Sequence, residues 1–291
     1  MNAVAQIVLQ PPPEPEVLPT LRELFGTLSC RPDITNFMYH SDRSCVSSSG
    51  LKQVLRSPAH FKHYLDAPHE ETPALFIGTA IHTRLLEPDL FAEDYVVAPE
   101  SDKRKKVYKE FKLAHANRMI LTKEQAETIE GIAESVSKHS SASTLLRGGV
   151  IEHSIIWQDK ETGIWCKIRP DCLSVDFDTG ICMDVKSTED ASESGFVKSC
   201  RQYDYDLSAA FYLEGLRETF RRDFDFAFLA CEKSAPYACA LYGAPLEMIE
   251  RGQRRFRAAL RRIKQCRDTG SWPSYQPDGD YSILNWPRYA S

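Results

Sequence analysis

Between Ile164 and Ser187 the chain reads IWCKIRPDCLSVDFDTGICMDVKS, and nowhere else does it set charge so awkwardly among apolar residues. Side chains alternate faces along a strand, so Asp184 and Lys186 share a face with Cys182, while Ile181, Met183 and Val185 turn toward a core. Asp171 closes an apparent strand just before. Two carboxylates and an ammonium are thereby expected to converge at one edge of a sheet. Whatever this chain folds into must place strands here and must offset that charge.

The rest of the chain supplies material for a large core. It has 291 residues, 42% of them hydrophobic and 26% charged, as in ordinary globular proteins. No apolar run approaches the ~20 residues that cross a bilayer, and the first thirty residues lack a basic start followed by an apolar segment. The expected location is cytoplasmic, with no membrane partner. Nine scattered cysteines with no CxxC pair disfavour structural zinc and iron–sulfur clusters and read as reduced, mostly buried thiols. A net charge of −5 argues against indiscriminate coating of nucleic acid. It leaves room for local basic surfaces, and two exist. One is Lys103, Arg104, Lys105, Lys106, Lys109 and Lys112; the other runs from Arg251 through Arg254, Arg255 and Arg257 to Arg267. Either reads equally as a solvated helix face.

Taken in order, residues 1–40 begin with a proline-rich stretch (PPPEPEVLP) and read as a partly flexible N-terminal arm; residues 41–291 read as one domain. Ser47–Ser49 supply caps for a helix that breaks at Pro58 and resumes. Ala74–Glu87 has helical spacing, stops at Pro88, and sets Gly78 and His82 on one face. A lone histidine there is by default a core residue, and Gly78 would admit a close backbone. Thr122–His139 reads as an amphipathic helix with Gln125 in the capping-box position. From Ile151 the period falls to two, giving four strands expected as an antiparallel meander. A helix over Asp204–Phe220, two strands over Phe224–Cys231 and Tyr237–Leu241, and a long arginine-rich helix ending near Gly270 complete the pattern. Helices before and after a sheet make an α/β domain with an N-terminal helical addition.

Paired carboxylates suit a hard divalent cation, which takes oxygen ligands and keeps waters. Asp171, Asp184 and the main-chain carbonyl of Val185 fit that need, and Lys186 would offset charge building on a phosphoryl group. A bare D-x-K is short and common, and on its own reads as an ion pair on a wet sheet face. The longer order of elements is more specific: P-D, a hairpin-length gap, an apolar strand into D-V-K, then an aromatic-bearing helix.

With RPD followed by MDVKST, the sequence resembles the PD-(D/E)xK nuclease superfamily. SSSGLKQVLRSPAHF, GTAIHTRLLEP, VAPE, EHSIIWQDKETGIWCKIRPD and AAFYLEGL extend the resemblance to the RecE-type exodeoxyribonuclease C-terminal domain, collinearly from about Cys45 to Trp272. The resemblance implies a restriction-endonuclease-like core, with a mixed central sheet flanked by helices. It also implies a magnesium-dependent enzyme, manganese being a substitute, that degrades linear double-stranded DNA 5′ to 3′. A homo-tetrameric ring and a RecT-type annealing partner are implied at the family level. Carried over by motif, His82, Asp171 and Asp184 are metal-site residues and Lys186 is the catalytic lysine. Glu152 matches an acidic residue of the relatives; it reads either as a supporting or second-metal acid or as an exposed strand-end glutamate. Relatives carry Gln-x-x-x-Tyr on the helix after D-x-K, whereas here Ser208 stands at the glutamine position before Tyr212. Ser208, Tyr212, Lys103, Arg104, Lys105, Lys106, Arg254 and Arg255 are the expected DNA contacts, and Tyr205 and Tyr212 read equally as packing aromatics.

Overall fold

The computed structural model describes residues 20–25, 30–67, 72–100, 102–175, 180–276, 278–279 and 281–284. In chain order the elements are α1 (Leu21–Phe25), β1 (Cys30–Arg31), α2 (Asn36–Ser41), α3 (Ser48–Arg56), α4 (Pro58–Asp66), α5 (Pro73–Leu86), α6 (Pro88–Asp94) and β2 (Tyr95–Val97). There follow α7 (Lys106–Ala114), β3 (Met119–Leu121), α8 (Lys123–Lys138), α9 (Ser140–Gly148), β4 (Val150–Ile151), β5 (Ser154–Gln158), β6 (Trp165–Ile168), β7 (Cys172–Ser174) and β8 (Gly180–Thr188). The chain closes with α10 (Glu193–Gln202), α11 (Tyr205–Phe220), β9 (Phe224–Glu232), β10 (Cys239–Gly243) and α12 (Leu246–Thr269).

The helices begin where their caps are. Ser47 accepts from the Gly50 amide at the start of α3, and Ser57 accepts from the His60 amide at the start of α4. Thr122 and Gln125 close a reciprocal capping box on α8. At its far end α12 stops on Gly270, whose φ of 69° is the left-handed geometry glycine adopts without penalty. The proline-rich part of the expected arm lies outside the described residues. The rest of it packs into the body: Leu21, Phe25, Ile34 and Tyr39 are buried against Cys45 and Ile156.

The four expected strands do not form one meander. β5 and β6 belong to a three-stranded sheet of order β1-β5-β6, whereas β7 and β8 belong to a five-stranded sheet of order β10-β9-β8-β7-β4. The division falls at Arg169–Asp171, where Pro170 has no amide to continue a ladder. In the larger sheet β8 runs parallel to β9, from Gly180 opposite Phe224 to Thr188 opposite Glu232, and the other pairings are antiparallel. Parallel neighbours need a crossover, which α10 and α11 provide. The sheet is therefore mixed, with helices on both faces.

Its centre is β8, so the charged residues sit on an interior strand and not at a sheet edge. Cys182 belongs to a core shared with α3, α4, α11 and α12 (Leu51, Phe61, Phe211, Phe256). Met183 and Val185 belong to the opposite core, with Ile81 of α5 and Ile129, Ile132 and Val136 of α8. Both faces are apolar, which is why burial of Asp184 on this strand demands compensation. On the first face α12 crosses α11 closely. A Cβ on Gly252 would stand 1.9 Å from the Asp206 carbonyl oxygen, so only glycine fits that crossing.

Candidate active site

The antiparallel ladder between β7 and β8 ends at Cys172 opposite Met183. One residue further, Asp171 and Asp184 come side by side, while the chain before Asp171 leaves for the other sheet. The Val185 amide would otherwise lack a ladder partner there; it donates instead to Asp171 Oδ2 at 2.6 Å, within the protein interior. One carboxylate thus replaces a strand and is fixed by the backbone it caps.

Around it the other groups converge. His82, on the inward side of α5, brings Nδ1 to 3.5 Å from Asp171 Oδ2. Glu152 lies between β4 and β5 in the left-handed backbone region, φ 53°, which a non-glycine residue seldom occupies. One ligating atom each from His82, Glu152 and Asp171 falls within 4.8 Å of the others. From β8, Lys186 Nζ lies 2.5 Å from Asp184 Oδ2 and donates to the Val185 carbonyl at 3.4 Å. Asp184 Oδ2 is buried and has no hydrogen-bond donor in directed geometry among the described residues.

The electrostatics follow from that crowding. Burial and the Asp171 charge push the Glu152 carboxyl up to about 8, although Arg169 at 3.8 Å pulls the other way. Burial also raises Asp171, opposed by His82 and reinforced by Asp184. For Lys186, burial favours losing the proton, but Asp184 and Asp171 outweigh it, and the net direction is upward. Lys186 is consequently a fixed cation and not a base near neutral pH. Tyr205, at the start of α11, holds its ring 5.4 Å from Lys186 Nζ.

The His82, Glu152 and Asp171 cluster, with Asp184 and the Val185 carbonyl next along β8, is a donor set of carboxylates, one imidazole and a carbonyl suited to a hard divalent cation. His82, Asp171, Asp184, the Val185 carbonyl and Glu152 are the residues that would hold it. No metal-ligating group outside His82, Glu152 and Asp171 assembles among the described residues at comparable spacing.

The remaining sequence-derived contacts distribute differently. Gly78 faces open space, so it provides no clearance for an approaching strand. Ser208 is buried in α11, and the Tyr212 ring packs edge-on against Phe226, 6.2 Å away. Arg255 is engaged by Asp204 at 2.5 Å and by Asp206 at 2.8 Å. Arg254 is exposed on α12, and Lys103 is exposed near the start of α7. Arg104 pairs with Asp102, Lys105 with Glu100 and Lys106 with Glu110, all at the surface.

Some residues carried no expectation. Arg169 donates to Ser154, to the Ile34 and Thr35 carbonyls and, at 3.5 Å, to Asn36, and so ties the N-terminal layer to Glu152. Its signal was the alternation of Lys167 and Arg169 on one face of an apolar strand. Lys52 of α3 was unmarked, yet its Nζ lies 5.5 Å from the same Tyr205 ring as Lys186.

A family described as a PDDEXK-like domain of unknown function, DUF3799, matches residues 47–284. The chain belongs to that family. Among solved structures, a candidate exonuclease from Eubacterium rectale superposes with a TM-score of 0.60 over 88% of this chain and 94% of its own, at 13% identity. At that identity the likeness is one of fold, and it accords with the PD-(D/E)xK-like core. The solved structure of SSO0001 aligns over 67% of this chain and 87% of its own at 13% identity, with a TM-score of 0.30, too low to carry argument. No curated protein matches the chain. Among the described residues no helix is long and apolar enough to cross a membrane.

Proposed function

We propose that this chain hydrolyses phosphodiester bonds of DNA with a divalent cation, magnesium or manganese, held by His82, Asp171, Asp184 and the Val185 carbonyl, with Glu152 beside them. The observation that carries the reading is the meeting of Asp171 and Asp184 where the β7–β8 ladder ends, with Lys186 2.5 Å from the second carboxylate. When bound, the cation supplies Lewis acidity toward a phosphoryl oxygen. Lys186, held protonated by the aspartates, places positive charge where negative charge grows on the phosphoryl group. Asp171 is oriented by the Val185 amide. The Glu152 carboxyl, pushed up to about 8, holds a proton near neutral pH before any cation binds.

Within that chemistry the narrower reading is a RecE-type exonuclease that degrades linear duplex DNA from 5′ ends. It would leave a 3′ strand for recombination by annealing, with a RecT-type partner. A homo-tetrameric ring and a bacterial or phage-infected cytoplasm belong to the same reading. Its support is the collinear motif order and the description of the Eubacterium rectale neighbour as an exonuclease. The basic cluster around α7 and the exposed Arg254 are the surfaces proposed to meet the phosphate backbone.

End-labelled linear and closed circular duplexes incubated with magnesium test this. Loss of 5′ label from linear DNA only, abolished in Asp184→Ala and Lys186→Ala, is the expected result. Cutting of closed circles would remove the exonuclease assignment. Inertness of the wild type with either metal on every duplex would remove the nuclease reading.

A further inference from the structure

Two lysines share one tyrosine at the rim of this site, and only one of them has a carboxylate. Lys186 Nζ and Lys52 Nζ stand 5.4 and 5.5 Å from the centroid of the Tyr205 ring. Lys186 is paired with Asp184. Lys52 has no carboxylate within ion-pairing reach and no hydrogen-bond acceptor among the described residues. The nearby acids are already engaged: Asp206 by Arg251 at 2.7 Å and by Arg255, and Asp204 by Arg255. Lys167, a buried lysine on β6, shows what a structural ammonium looks like here. It donates to the carbonyls of Tyr39 and Asp42. Lys52 has no such acceptors among the described residues, so its ammonium beside Tyr205 is left without a partner of its own.

We propose that Lys52 is a phosphate-binding residue of this site, taking a non-bridging oxygen of the substrate strand beside the phosphoryl group that faces Asp184 and Lys186. The proposal rests on the nuclease reading above for the identity of the anion. The approach is open on one side: Tyr203, 51% exposed, stacks on Tyr205 at 5.8 Å and carries the aromatic surface from the lysine pair to solvent. Burial, and then the charge of Lys186, pull the Lys52 ammonium down to about 8. An arriving phosphate oxygen would relieve both. A packing role alone would need only the aliphatic stem, which methionine reproduces.

Binding of a fluorescent duplex oligonucleotide is measured in EDTA, where no cleavage occurs, across a salt series for wild type, Lys52→Met and Lys52→Arg; turnover is then measured with magnesium. Lys52→Met is expected to weaken binding about 10-fold. It should reduce the slope of log Kd against log salt by about one phosphate contact, and raise KM more than it lowers kcat. Lys52→Arg should recover most of the affinity. In the wild type the oligonucleotide should protect Lys52 from amine acylation, read by mass spectrometry; this measurement does not depend on any variant folding. Unchanged slope and KM in a folded Lys52→Met, or no protection of Lys52, would overturn the proposal while leaving cleavage by the wild type intact. Protection and an altered slope in a wild type that never cleaves would uphold Lys52 as a phosphate ligand and overturn the nuclease reading instead.

Discussion

Two regions of this molecule gather acids and bases out of water, and they do so to opposite effect. Between α11 and α12 each buried carboxylate has a guanidinium. Asp206, 2% exposed, accepts from Arg251 at 2.7 Å and from Arg255 at 2.8 Å, while Arg257 pairs with both Asp159 and Glu214. At the end of the β7–β8 ladder the carboxylates face one another. Glu152, Asp171 and Asp184 share one imidazole, Lys186 and a more distant Arg169, and one oxygen of Asp184 has no directed donor. Buried acids with full partners hold a fold together, whereas buried acids short of positive charge are arranged to receive it.

The contrast predicts its largest effect in chemistry. Asp184→Ala or Lys186→Ala should lower phosphodiester hydrolysis by at least about 10³-fold. Asp184→Ala should cost little stability, because it relieves the crowding of three carboxylates, whereas Lys186→Ala leaves Asp184 buried without its ammonium and should cost about 3 kcal/mol. Asp206→Asn should do the reverse, leaving turnover within a few-fold while costing about 2 kcal/mol as two guanidinium bonds weaken. Denaturant melts and initial rates on the same preparations decide it. The comparison breaks if a folded Asp206→Asn loses as much activity as Asp184→Ala.

Next in size is the response to metal. An incomplete acidic cluster should be stabilised by a divalent cation, by about 2.7 kcal/mol at a hundredfold excess over Kd. Removal with EDTA should reverse the gain. Asp171→Ala with Asp184→Ala should abolish it, and Asp206→Asn should keep it. Thermal melts with magnesium, manganese and EDTA read this directly. Equal stabilisation of the double variant would move the cation elsewhere.

How much of this contrast could be read in the sequence depends on whether a local pattern carried it. The positions of Asp184 and Lys186 on one strand follow from alternation alone, and Pro170 marks where a ladder must stop. Alternation does not name a strand's partner, so the parallel β8–β9 pairing and the split into two sheets were illegible. The same limit made β8 look like an edge, although Cys182 on the Asp184 face hinted that both faces were covered. His82 was visible only through the resemblance, because a histidine on an apolar helix has no signature of its own. α10 was missed because few of its side chains are buried and it lacks an apolar stripe, although Ser192 was a readable cap. Lys52 looked like any solvated lysine of an amphipathic helix, and its significance lies in which ring it meets across space.

A smaller effect should appear in pH. With its folded pKa raised to about 8, Glu152 holds a proton in the native metal-free protein over a range where the unfolded chain has lost it. The stability from this group is thus complete below the ordinary carboxyl range, near 4.5, and is lost as pH rises toward 8. Glu152→Gln, which keeps the shape without the charge, should gain stability over wild type from pH 5 to 8, reaching at least ~1 kcal/mol. Excess magnesium should shrink the difference if Glu152 faces the cation. A difference that is flat across pH would show that the carboxyl titrates normally and that the site is less crowded than its geometry indicates.

The smallest effect belongs to the exposed margin of the arginine-rich helix. Arg261 pairs with Glu161 through two donors, yet both side chains are largely in water, so Coulomb attraction is screened and the ordering of two long side chains opposes it. Arg261→Ala should cost almost nothing and should lose even that at high salt. Arg257→Ala, one turn earlier, strips the counter-ion from buried Asp159 and Glu214 and should cost far more, with little relief from salt. Measuring both variants at low and high ionic strength separates screening from burial on a single helix. Equal costs would mean that the pairs along α12 act as one surface network, and the buried half of the comparison would then have no special claim on the fold.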